Sequence, residues 1–577
     1  MREFFILIFY LLFSSSLFAQ FRELKITESF ITGNDFGGGK KLPNIELKRG
    51  MYILKLDDYK GYKLREVYIF GCTKNDASDR VRIGDVVNRI GKETTINVDR
   101  EWPYIGLFWN KTGTEVAEIK FSLWSIKKFN KVYCSSSYGD DNNSGLDEFT
   151  PLKSIHTALL LGDTVLLKNG DVFYESVTLT NQVLSFYGVG KKPIVCGFKR
   201  IEKRCWIRAG KNLWKICLSD DNFSGVNTKG SSELNNVGCI YEWDKDKIHG
   251  RKVQYKKDLL KNWDFWQTYK FSKLHVKPTD FDSLYLYCNE DPNTKKMEFS
   301  VGCNGVNMSY STLKGIEIKG FGCHGIAGGT ESIISNCSVD VIGGMCQIGY
   351  DKYTSLGNGI EFYISKDKRN CSVRNCIISR CYDSGITIQG ADQGNATPRN
   401  IIIERNLIKE CCQGWEDFLR NDSNVMFENC IVRENIFLNN GVDNGFGYPD
   451  SRFKYCQILG NNCKGNKGLI LEHNIFIGGN YYCSGAYRNK YKSHIWRHNK
   501  CYLKKGDFIL SNYTGSADVI RIPKEKGTYP TIKLAIKAAI SAYREKTGDR
   551  TTEFFVLEDK DIKREVYKHL KKFNKSK

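Results

Sequence analysis

Six short segments between residues 311 and 502 share one pattern, and this pattern decides the fold. Each has a charged or small residue, then Asn, then apolar or Cys residues: SNCSV at 335–339, RNCII at 374–378, RNLI at 405–408, ENIF at 434–437, HNIF at 473–476 and HNKCY at 498–502. The Asn residues are spaced by 39, 31, 29, 39 and 25 residues. Spacings of this size indicate a repeat architecture, because one such unit cannot bury an apolar face alone.

The repeat predicts a parallel β-helix. In this fold the Val/Ile-rich strand of each coil lies roughly 4.8 Å from the equivalent strand of the previous coil, so that equivalent side chains stack in columns. We expect the Asn residues to form one inward column at a turn, where each amide bonds its neighbour and the bent backbone. The members of that expected column are Asn336, Asn375, Asn406, Asn435, Asn474 and Asn499.

Residues 1–20 have the features of a secretory signal peptide. Arg2 gives a charged start, residues 4–13 form a short apolar run, and residues 14–19 are mostly small. No Cys lies near the expected cleavage point, which argues against a lipoprotein anchor. No later stretch has 18 consecutive apolar residues, so the sequence predicts no transmembrane span. The expected location is secreted or periplasmic.

Composition limits the partners. The formal net charge of +21 favours polyanions: acidic polysaccharide, nucleic acid or a membrane surface. Export argues against nucleic acid, and the oligomeric state stays open. The 21 Cys residues would suggest disulfides in an exported protein, but many of them, such as Cys337, Cys376 and Cys501, fall inside the repeat. There we expect mostly buried thiols. No CxxC pair has a matching partner at metal-site spacing.

The chain is expected to have four parts. Residues 1–20 are the signal peptide, and 21–130 alternate as short strands of a β-sandwich. The β-helix spans 131–515, with a β-rich insertion at 193–300, and 516–577 form a helical, basic segment. Thr531 can cap a helix at 532–546, whereas 559–577 either dock on the helix or form a disordered tail. Aromatic residues of the sandwich either stack on a sugar ring or fill its core: Trp102, Tyr104, Phe108 and Trp109.

Two stretches resemble a known superfamily. YCSSSYGDDNNSGLDEFTPLKSI at 133–155 and GDTVLLKNGDVFYESVTL at 162–179 are similar to the opening of exported, carbohydrate-active proteins of the pectate-lyase-like superfamily. The resemblance implies an all-β, right-handed parallel β-helix solenoid whose open end is capped by a short helix at 156–161. It implies fold more sharply than reaction, because the superfamily includes hydrolases, lyases and epimerases.

Three coil segments align on Gly-Ile pairs: CHGIA at 323–327, GNGIEF at 357–362 and DSGITIQ at 383–389. With Ile pointing inward, the outward column contains Ala327, Glu361 and Thr387. Asp383 falls level with Gly357 on its neighbour coil. Carboxylates on neighbouring coils are about 5 Å apart, and those two coils apart are about 10 Å apart. The first separation suits a retaining glycosidase, and an inverting enzyme needs an intermediate one. The candidate catalytic residues are therefore Glu361, Asp383 and, from the next coil, Glu416.

The resemblance adds candidate substrate-binding residues. The superfamily's Tyr-Asp-x-Gly/Ala-Ile/Leu-Thr-x-Gln segment matches residues 382–389, and a Tyr-Glu-Tyr-Trp-Asn-Arg-like segment matches 415–420, with departures at 417–419. Candidate contacts on these and neighbouring coils are Gln389, Trp415, Asp417, Arg420, Asp450, Arg452 and His324. Arg420, Arg452 and Lys352 would hold an acidic sugar. His324 is either a base or a turn residue bonded to backbone.

Three hypotheses follow. The first is a secreted or periplasmic glycoside hydrolase that cleaves a complex polysaccharide, neutral or acidic, in a groove of the β-helix and needs no cofactor. The second is a polysaccharide lyase or uronate epimerase, for which Ca²⁺ held by Asp340, Asp351 and Asp383 would be the expected cofactor, although no local loop motif supports it. The third is a non-catalytic glycan-binding surface protein.

Overall fold

The structure is a computed structural model, and it separates into two compact units, Met1–Leu166 and Leu167–Lys577. It describes residues 22–31, 37–42, 47, 50–60, 64–72, 81–87, 89–91, 93–98, 102–111, 118–126, 128–201, 205–218, 223–225, 235–269, 281–349, 352–364, 368–390, 395–419, 424–441, 445–446, 456–460, 468–479, 481–484, 494–511 and 520–575. The expected signal peptide at 1–20 lies outside these residues.

The first unit contains a β-sandwich, as the sequence predicts. One antiparallel sheet has the strand order Arg22–Ile31, Glu118–Ile126, Gly50–Lys60 and Glu93–Val98. The other has the order Gly37–Leu42, Tyr104–Lys111, Leu64–Cys72 and Val81–Val87. Trp102 and Trp109 are buried in the core between the strands, so these two rings stabilise the sandwich and are not presented to a sugar.

The first unit continues with strand Phe129–Cys134, helix Ile155–Leu161 and strand Gly162–Lys168. Ser154 is the N-cap of the helix, and its side chain accepts a hydrogen bond from Thr157 N. The short helix expected at 156–161 is therefore present.

The second unit is a parallel β-helix, and each coil contributes a strand to three sheets. Within this second unit, sheet I contains Val183–Tyr187, Thr312–Lys314, Ile333–Ser335, Arg369–Arg374, Arg399–Glu404, Ile431–Arg433, Ile470–Glu472 and Ile495–Arg497. Sheet II contains Val172–Phe173, Ile194–Cys196, Glu317–Lys319, Ser338–Ile342, Ile377–Cys381, Leu407–Lys409, Ile436–Leu438, Ile475–Ile477, Lys500–Leu503 and Glu553–Val556. Sheet III contains Val177–Thr180, Val306–Ser309, Ile326–Gly328, Ile360–Ile364, Ser384–Gly390, Gln413–Leu419, Cys456–Gly460, Tyr481–Ser484 and Phe508–Ser511, with Ile520–Arg521 antiparallel at the end.

Stacked apolar side chains form the core of the solenoid. One inward column of sheet II runs through Ile318, Val339, Ile378, Ile408, Phe437 and Phe476, all of them buried. The rings of Phe437 and Phe476 are parallel, with centroids 4.8 Å apart. Cys371 and Cys430 are buried free thiols, and each donates to a backbone carbonyl. They fit the expectation that cysteines of the repeat are small core residues.

The Asn column differs from its prediction by one residue in two coils. Register places Asn406, Asn435, Asn474 and Asn499 level with Cys337 and Cys376, not with Asn336 and Asn375. Asn336 and Asn375 occupy the preceding turn position, with φ of 54° and 55°, where later coils have Arg405, Glu434, His473 and His498. Asn favours this left-handed backbone, so the letter Asn recurs for two different physical reasons.

The insertion consists of two small antiparallel sheets. One has the order Phe223–Gly225, Phe198–Ile201, Met297–Ser300, Ile240–Glu242 and Lys247–His249; the other has Ile207–Gly210, Leu213–Cys217, Ser283–Tyr287 and Phe265–Gln267. Three 3-10 turns, Trp243–Lys245, Lys256–Asp258 and Pro292–Thr294, connect them. Asp246 of the insertion and Asp340 of sheet II both accept hydrogen bonds from Arg380, which ties the insertion to the coils. Two short pairs complete the strands: Cys346–Gly349 with Lys352–Ser355, and Asn395–Ala396 with Asn424–Val425.

Two helices form the C-terminal segment. Helix Ile532–Thr547 begins at the predicted cap Thr531, whose side chain accepts from Leu534 N, and ends at Gly548 with φ of 76°. Helix Asp559–Lys575 packs Ile562 and Phe573 against Ile436 and Ile477 of sheet II. Of the two alternatives for this segment, docking is therefore the observed one. Neither these helices nor any other described helix is long and apolar enough to span a bilayer.

Candidate active site

The candidate carboxylates lie on sheet III in two side-chain columns. The predicted register is confirmed: Ile326, Ile360 and Ile386 are paired, and Glu361 lies between Ala327 and Thr387. The next coil adds Glu416 directly beside Thr387. The first column is thus Asn307, Ala327, Glu361, Thr387 and Glu416. Glu361 and Glu416 are two strands apart, about 9.6 Å along the stack.

The second column lies three residues earlier on each coil, at the turn before the strand. Its members are Asn304, His324, Asn358, Ser384 and Gln413. Each of the first three side chains accepts from the backbone N–H of the next coil: Asn304 Oδ1 from His324 N, His324 Nδ1 from Asn358 N, and Asn358 Oδ1 from Ser384 N, each at 3.2 Å. This polar ladder fixes the turn that presents the carboxylates.

Glu361 is an ionised carboxylate held by three donors. Its Oε2 lies 2.8 Å from Gln389 Nε2, 2.9 Å from Asn358 Nδ2 and 3.0 Å from His324 Nε2. Burial works against its charge, but the bonds from His324, Asn358 and Gln389 outweigh burial and lower the pKa of Glu361. Gln389, predicted one outward step beyond Thr387, therefore reaches back to this carboxylate.

His324 is bonded to backbone at its turn, which was one of its two predicted characters, and it also contacts a carboxylate. Its role as a base stays a prediction. Burial opposes the imidazolium, while Cys323 and Glu361 favour it and raise the pKa of His324. The backbone N of Asn358 lies 3.2 Å from Nδ1, and Nε2 lies 3.0 Å from Glu361 Oε2. In the neutral form of the ring, Nδ1 accepts from Asn358 and the proton on Nε2 is donated to Glu361.

Glu416 is a buried carboxyl whose surroundings favour the protonated form. Burial and the neighbouring charge of Asp383 raise its pKa well above the usual range, although Ser384 works against this. Ser384 Oγ lies 2.8 Å from Glu416 Oε2 and 2.9 Å from Gln413 Oε1. Ser384 Oγ is the donor in its contact with Glu416, and this bond favours the ionised form, so burial and Asp383 outweigh it.

Of the three candidate catalytic carboxylates, Asp383 has the fewest hydrogen-bond partners among the described residues. Its side chain is half-buried, and none of the described residues donates a hydrogen bond to it. Burial raises its pKa to about 6; the charge of His324 lowers it and that of Glu361 raises it. Its backbone lies level with Gly357, as the sequence predicts, with N donating to Gly357 O at 3.1 Å. A carboxylate with such a pKa beside a protonated neighbour is a typical acid–base arrangement.

Two residues that were predicted to contact the substrate lie on the inward side of their strand, away from the carboxylate column. Trp415 pairs with Ile386 in the inward column and is fully buried, so it cannot contact a substrate. Asp417 lies on the same side of the strand, two residues on, and its Oδ2 is 3.0 Å from Nε2 of His494, which the sequence did not single out. Both predictions followed the superfamily motif at 415–420, whereas the period-two alternation from Ile386 gives the correct face.

The remaining predicted contacts are not placed. Arg420, Asp450 and Arg452 lie outside the described residues, as does Asp351. Asp340, a candidate Ca²⁺ ligand, instead lies on sheet II, where Ser379 and Arg380 each donate to it at 2.8 Å and Lys319 lies at 3.3 Å. Within the described ranges, no three His, Cys, Asp or Glu side chains converge as metal ligands would. Cations of the chain already bind Asp340, and Asp351 lies outside the described residues, so a Ca²⁺ site on these residues stays a prediction.

The sequence did not single out Asn358, Ser384 or Gln413. The signal for them was present, because each is followed three residues later by a residue of the carboxylate column, in NGIE, SGIT and QGWE. Aligning the coils at the turn as well as at the Gly-Ile pair would have found them.

No family model matches the chain, and no curated protein does. Among solved structures, the xylose complex of XylC is 13% identical, with a TM-score of 0.36, over 66% of this chain and 69% of that chain. Pectate lyase Pel9A is 10% identical, with a TM-score of 0.29, over 65% and 75%. The family 28 exopolygalacturonase of Yersinia enterocolitica is 10% identical, with a TM-score of 0.24, over 79% and 90%. At these values, the chemistry has to be argued from the residues of this chain.

Proposed function

We propose that this chain is a glycoside hydrolase that cleaves a polysaccharide on sheet III by carboxyl acid–base catalysis. The observation that supports the proposal most strongly is the contrast between Asp383 and Glu416. Asp383 is a half-buried carboxylate that receives no hydrogen bond from a described residue, and Glu416 beside it is buried, with a pKa raised well above its usual range by burial and by the charge of Asp383. One neighbour can accept a proton while the other donates one, as hydrolysis of an acetal requires.

Glu416 acts as the general acid. Its proton goes to the glycosidic oxygen as the bond from that oxygen to the anomeric carbon breaks, so the leaving sugar departs as a neutral alcohol. Ser384 and Gln413 hold the carboxyl in place during the transfer.

Asp383 acts as the general base. It takes one proton from a water molecule whose oxygen forms the new bond to the anomeric carbon, and the second proton of that water stays on the new hydroxyl. A pKa of about 6 leaves Asp383 mostly ionised at neutral pH and still basic enough to accept the proton.

Glu361 stabilises the positive charge that develops on the sugar ring. It stays ionised through its bonds from His324, Asn358 and Gln389, all of which reach Oε2, and we assign Oε1 to the sugar. A fixed negative charge is a favourable neighbour for an oxocarbenium-like transition state.

Export belongs to the same proposal. Residues 1–20 carry the pattern of a signal peptide, and a polysaccharide substrate is found outside the cytoplasm. N-terminal sequencing of the protein purified from culture medium or periplasm is expected to begin close to residue 20, and retention of residues 1–20 in that material would contradict export by cleavage.

A glycan panel tests the reaction type. The pure protein is incubated with neutral and acidic polysaccharides, and both new reducing ends and ultraviolet absorbance of unsaturated uronates are measured. We expect reducing ends without that absorbance. Glu434→Gln serves as a matched control, because Glu434 is exposed at a turn position of φ 56° and belongs to neither column.

The outcomes separate the three hypotheses. Loss of hydrolysis in Asp383→Asn with full activity in Glu434→Gln supports the proposal. Unsaturated products would instead identify a lyase, and binding without any product would identify a glycan-binding protein. Full activity in Asp383→Asn would remove Asp383 from the mechanism.

A further inference from the structure

A cavity of about 570 Å³ lies on the insertion, apart from the two columns of sheet III. None of its lining residues belongs to either column. Aromatic walls come from Tyr174, Trp206 and Trp243, and the polar wall includes Arg200 and Glu298. Its volume falls within the range of small-molecule sites, about 300–1,000 Å³.

The aromatic walls are held rigidly. Trp243 packs edge-on against Tyr241, with ring centroids 5.3 Å apart, and against Phe198 at 5.9 Å. Its indole Nε1 donates to Glu298, which fixes the ring plane. Tyr174 is half-buried, packs on the same hydrophobic cluster as Trp243, and carries the guanidinium of Arg200 at 4.1 Å from its ring centroid. Fixed aromatic faces suit the C–H face of a sugar ring, because little side-chain entropy is lost on binding.

The charge of the lining is positive on balance. Three cations, Arg200, Lys295 and Lys296, face two acids, Asp244 and Glu298. Lys296 lies 3.6 Å from Asp244, and Lys295 pairs at 2.8 Å with Glu290. Burial raises the pKa of Glu298, although Trp243 and Arg200 oppose this.

Arg200 is the cation that is left for a ligand. Its side chain is exposed and forms no salt bridge with any carboxylate among the described residues. A guanidinium binds a planar carboxylate through two parallel hydrogen bonds, and stacking on Tyr174 fixes its orientation.

We propose that this cavity is a second carbohydrate site, which binds one uronic acid residue of an acidic glycan. The sugar ring packs against the indole of Trp243, and its carboxylate pairs with Arg200, which is oriented by its stacking on Tyr174. This inference goes beyond the proposed function, because it uses no residue of the two columns and requires no bond cleavage.

Calorimetric titration of the full chain tests the site. The Asp383→Asn protein is titrated with trigalacturonate and with maltotriose, a neutral trisaccharide. We expect trigalacturonate to bind in a salt-sensitive manner and maltotriose to bind at least about tenfold more weakly. Arg200→Gln is expected to weaken trigalacturonate binding by about ten- to a hundredfold, the size of a charge-assisted hydrogen bond.

Two controls make the result specific. Arg208→Gln removes an equally exposed arginine from strand Ile207–Gly210, outside the cavity, and is expected to leave binding unchanged. Tyr174→Phe keeps the ring and is expected to bind, whereas Tyr174→Leu is expected to lose binding in the same way as Arg200→Gln. Circular dichroism checks that each variant is folded.

Three results would overturn the inference: no binding of trigalacturonate, equal affinity for both trisaccharides, or equal effects of Arg200→Gln and Arg208→Gln. Binding that depends on Arg200 in a wild-type protein without hydrolase activity would instead overturn the proposed function alone.

Discussion

At the scale of single residues, environment gives three carboxyl groups three different states. Glu361 receives three hydrogen bonds and stays ionised, while burial and the charge of Asp383 raise the pKa of Glu416 well above its usual range. Asp383 receives no hydrogen bond from the described residues, and the charge of His324 offsets only part of the effect of burying this carboxylate. Uncompensated charge of this kind usually costs stability and is retained for function.

Asp383→Asn is expected to stabilise the protein at neutral pH. Because burial raises the folded pKa of Asp383 to about 6, the folded chain holds this proton more tightly than the unfolded chain does. The resulting destabilisation is absent below the ordinary Asp pKa and grows as pH rises through about 6, to about 3 kcal/mol at most. Thermal melting at pH 4 and pH 7.5 checks this.

The pH dependence is the informative part. At pH 4 the melting temperatures of the wild type and Asp383→Asn should agree, and at pH 7.5 the variant should melt higher. A variant that is less stable than the wild type at pH 7.5 would show that Asp383 makes a stabilising contact instead.

Local sequence identified these residues only in part. The Gly-Ile pairs gave the register of Glu361 and Asp383 because glycine and an inward Ile recur on each coil. Trp415 and Asp417 were assigned to the wrong face, since a motif match outweighed the alternation of the strand. The bond between Asp417 and His494 joins residues 77 apart, and no local pattern reveals it.

At the scale of elements, the turns carry much of the specificity of the solenoid. Asn435 Nδ2 donates to Ile403 O and to Asn474 Oδ1, and Asn435 Oδ1 accepts from Asn406 N and Nδ2. The side chain is fully buried, so its loss would leave several backbone and amide groups without partners.

Asn435→Gly and Asn375→Gly are expected to differ strongly, although the two residues share a motif. Asn375 has φ of 55°, which glycine adopts freely, so Asn375→Gly should change the unfolding free energy by less than about 1 kcal/mol. Asn435→Gly should cost about 2–4 kcal/mol. Urea unfolding of both variants measures the difference, and equal losses would contradict the one-residue offset between the two positions.

The last residues of successive sheet I strands carry alternating charges. Arg374, Glu404, Arg433, Glu472 and Arg497 are neighbours on five successive strands. Glu404 is buried and lies 2.6 Å from Arg433 Nη2, 2.8 Å from Arg405 Nη2 and 3.2 Å from Arg374 Nε. Burial opposes its charge, but the three arginines outweigh burial and lower the pKa of Glu404.

Glu404→Gln is expected to lose about 2–4 kcal/mol of unfolding free energy at pH 7, because the buried partner of Arg433 and Arg405 is removed. Since the folded pKa is lowered, the contribution of Glu404 is present above the ordinary Glu pKa and disappears as the solution is acidified. The exposed pair of Glu428 with Arg399 is the matched control, and Glu428→Gln should cost at most about 1 kcal/mol. Equal losses in the two variants at pH 7 would contradict this account.

The sequence predicts the repeat but not every role of its letters. The strands and their order follow from apolar periodicity, and the C-terminal helix follows from Thr531 and Gly548. Asn336 and Asn375 were wrongly predicted to belong to the inward Asn column, because Asn suits both a left-handed turn and an inward amide column. Only the stacking of coils separates the two roles.

At the scale of the whole molecule, the regular stacking of the coils sets the distance between side chains that are far apart in sequence. Glu361 and Glu416 are 55 residues apart, yet the register sets them two strands apart on sheet III with Thr387 between them. The insertion, tied to the coils through Asp246 and Arg380, carries the aromatic cavity within the same unit. One unit thus carries both the proposed cleavage site and the proposed second carbohydrate site.

The most direct test of the central claim is the pH dependence of kcat/KM on a cleaved glycan for the wild type, Asp383→Asn and Glu416→Gln. We predict a wild-type profile that rises through pH about 6 as Asp383 ionises and falls at higher pH as Glu416 loses its proton. Each variant should lose about 10²–10⁴-fold in rate, with Asp383→Asn losing the acidic limb and Glu416→Gln the alkaline limb. A wild-type rate and an unchanged acidic limb in Asp383→Asn would contradict the account.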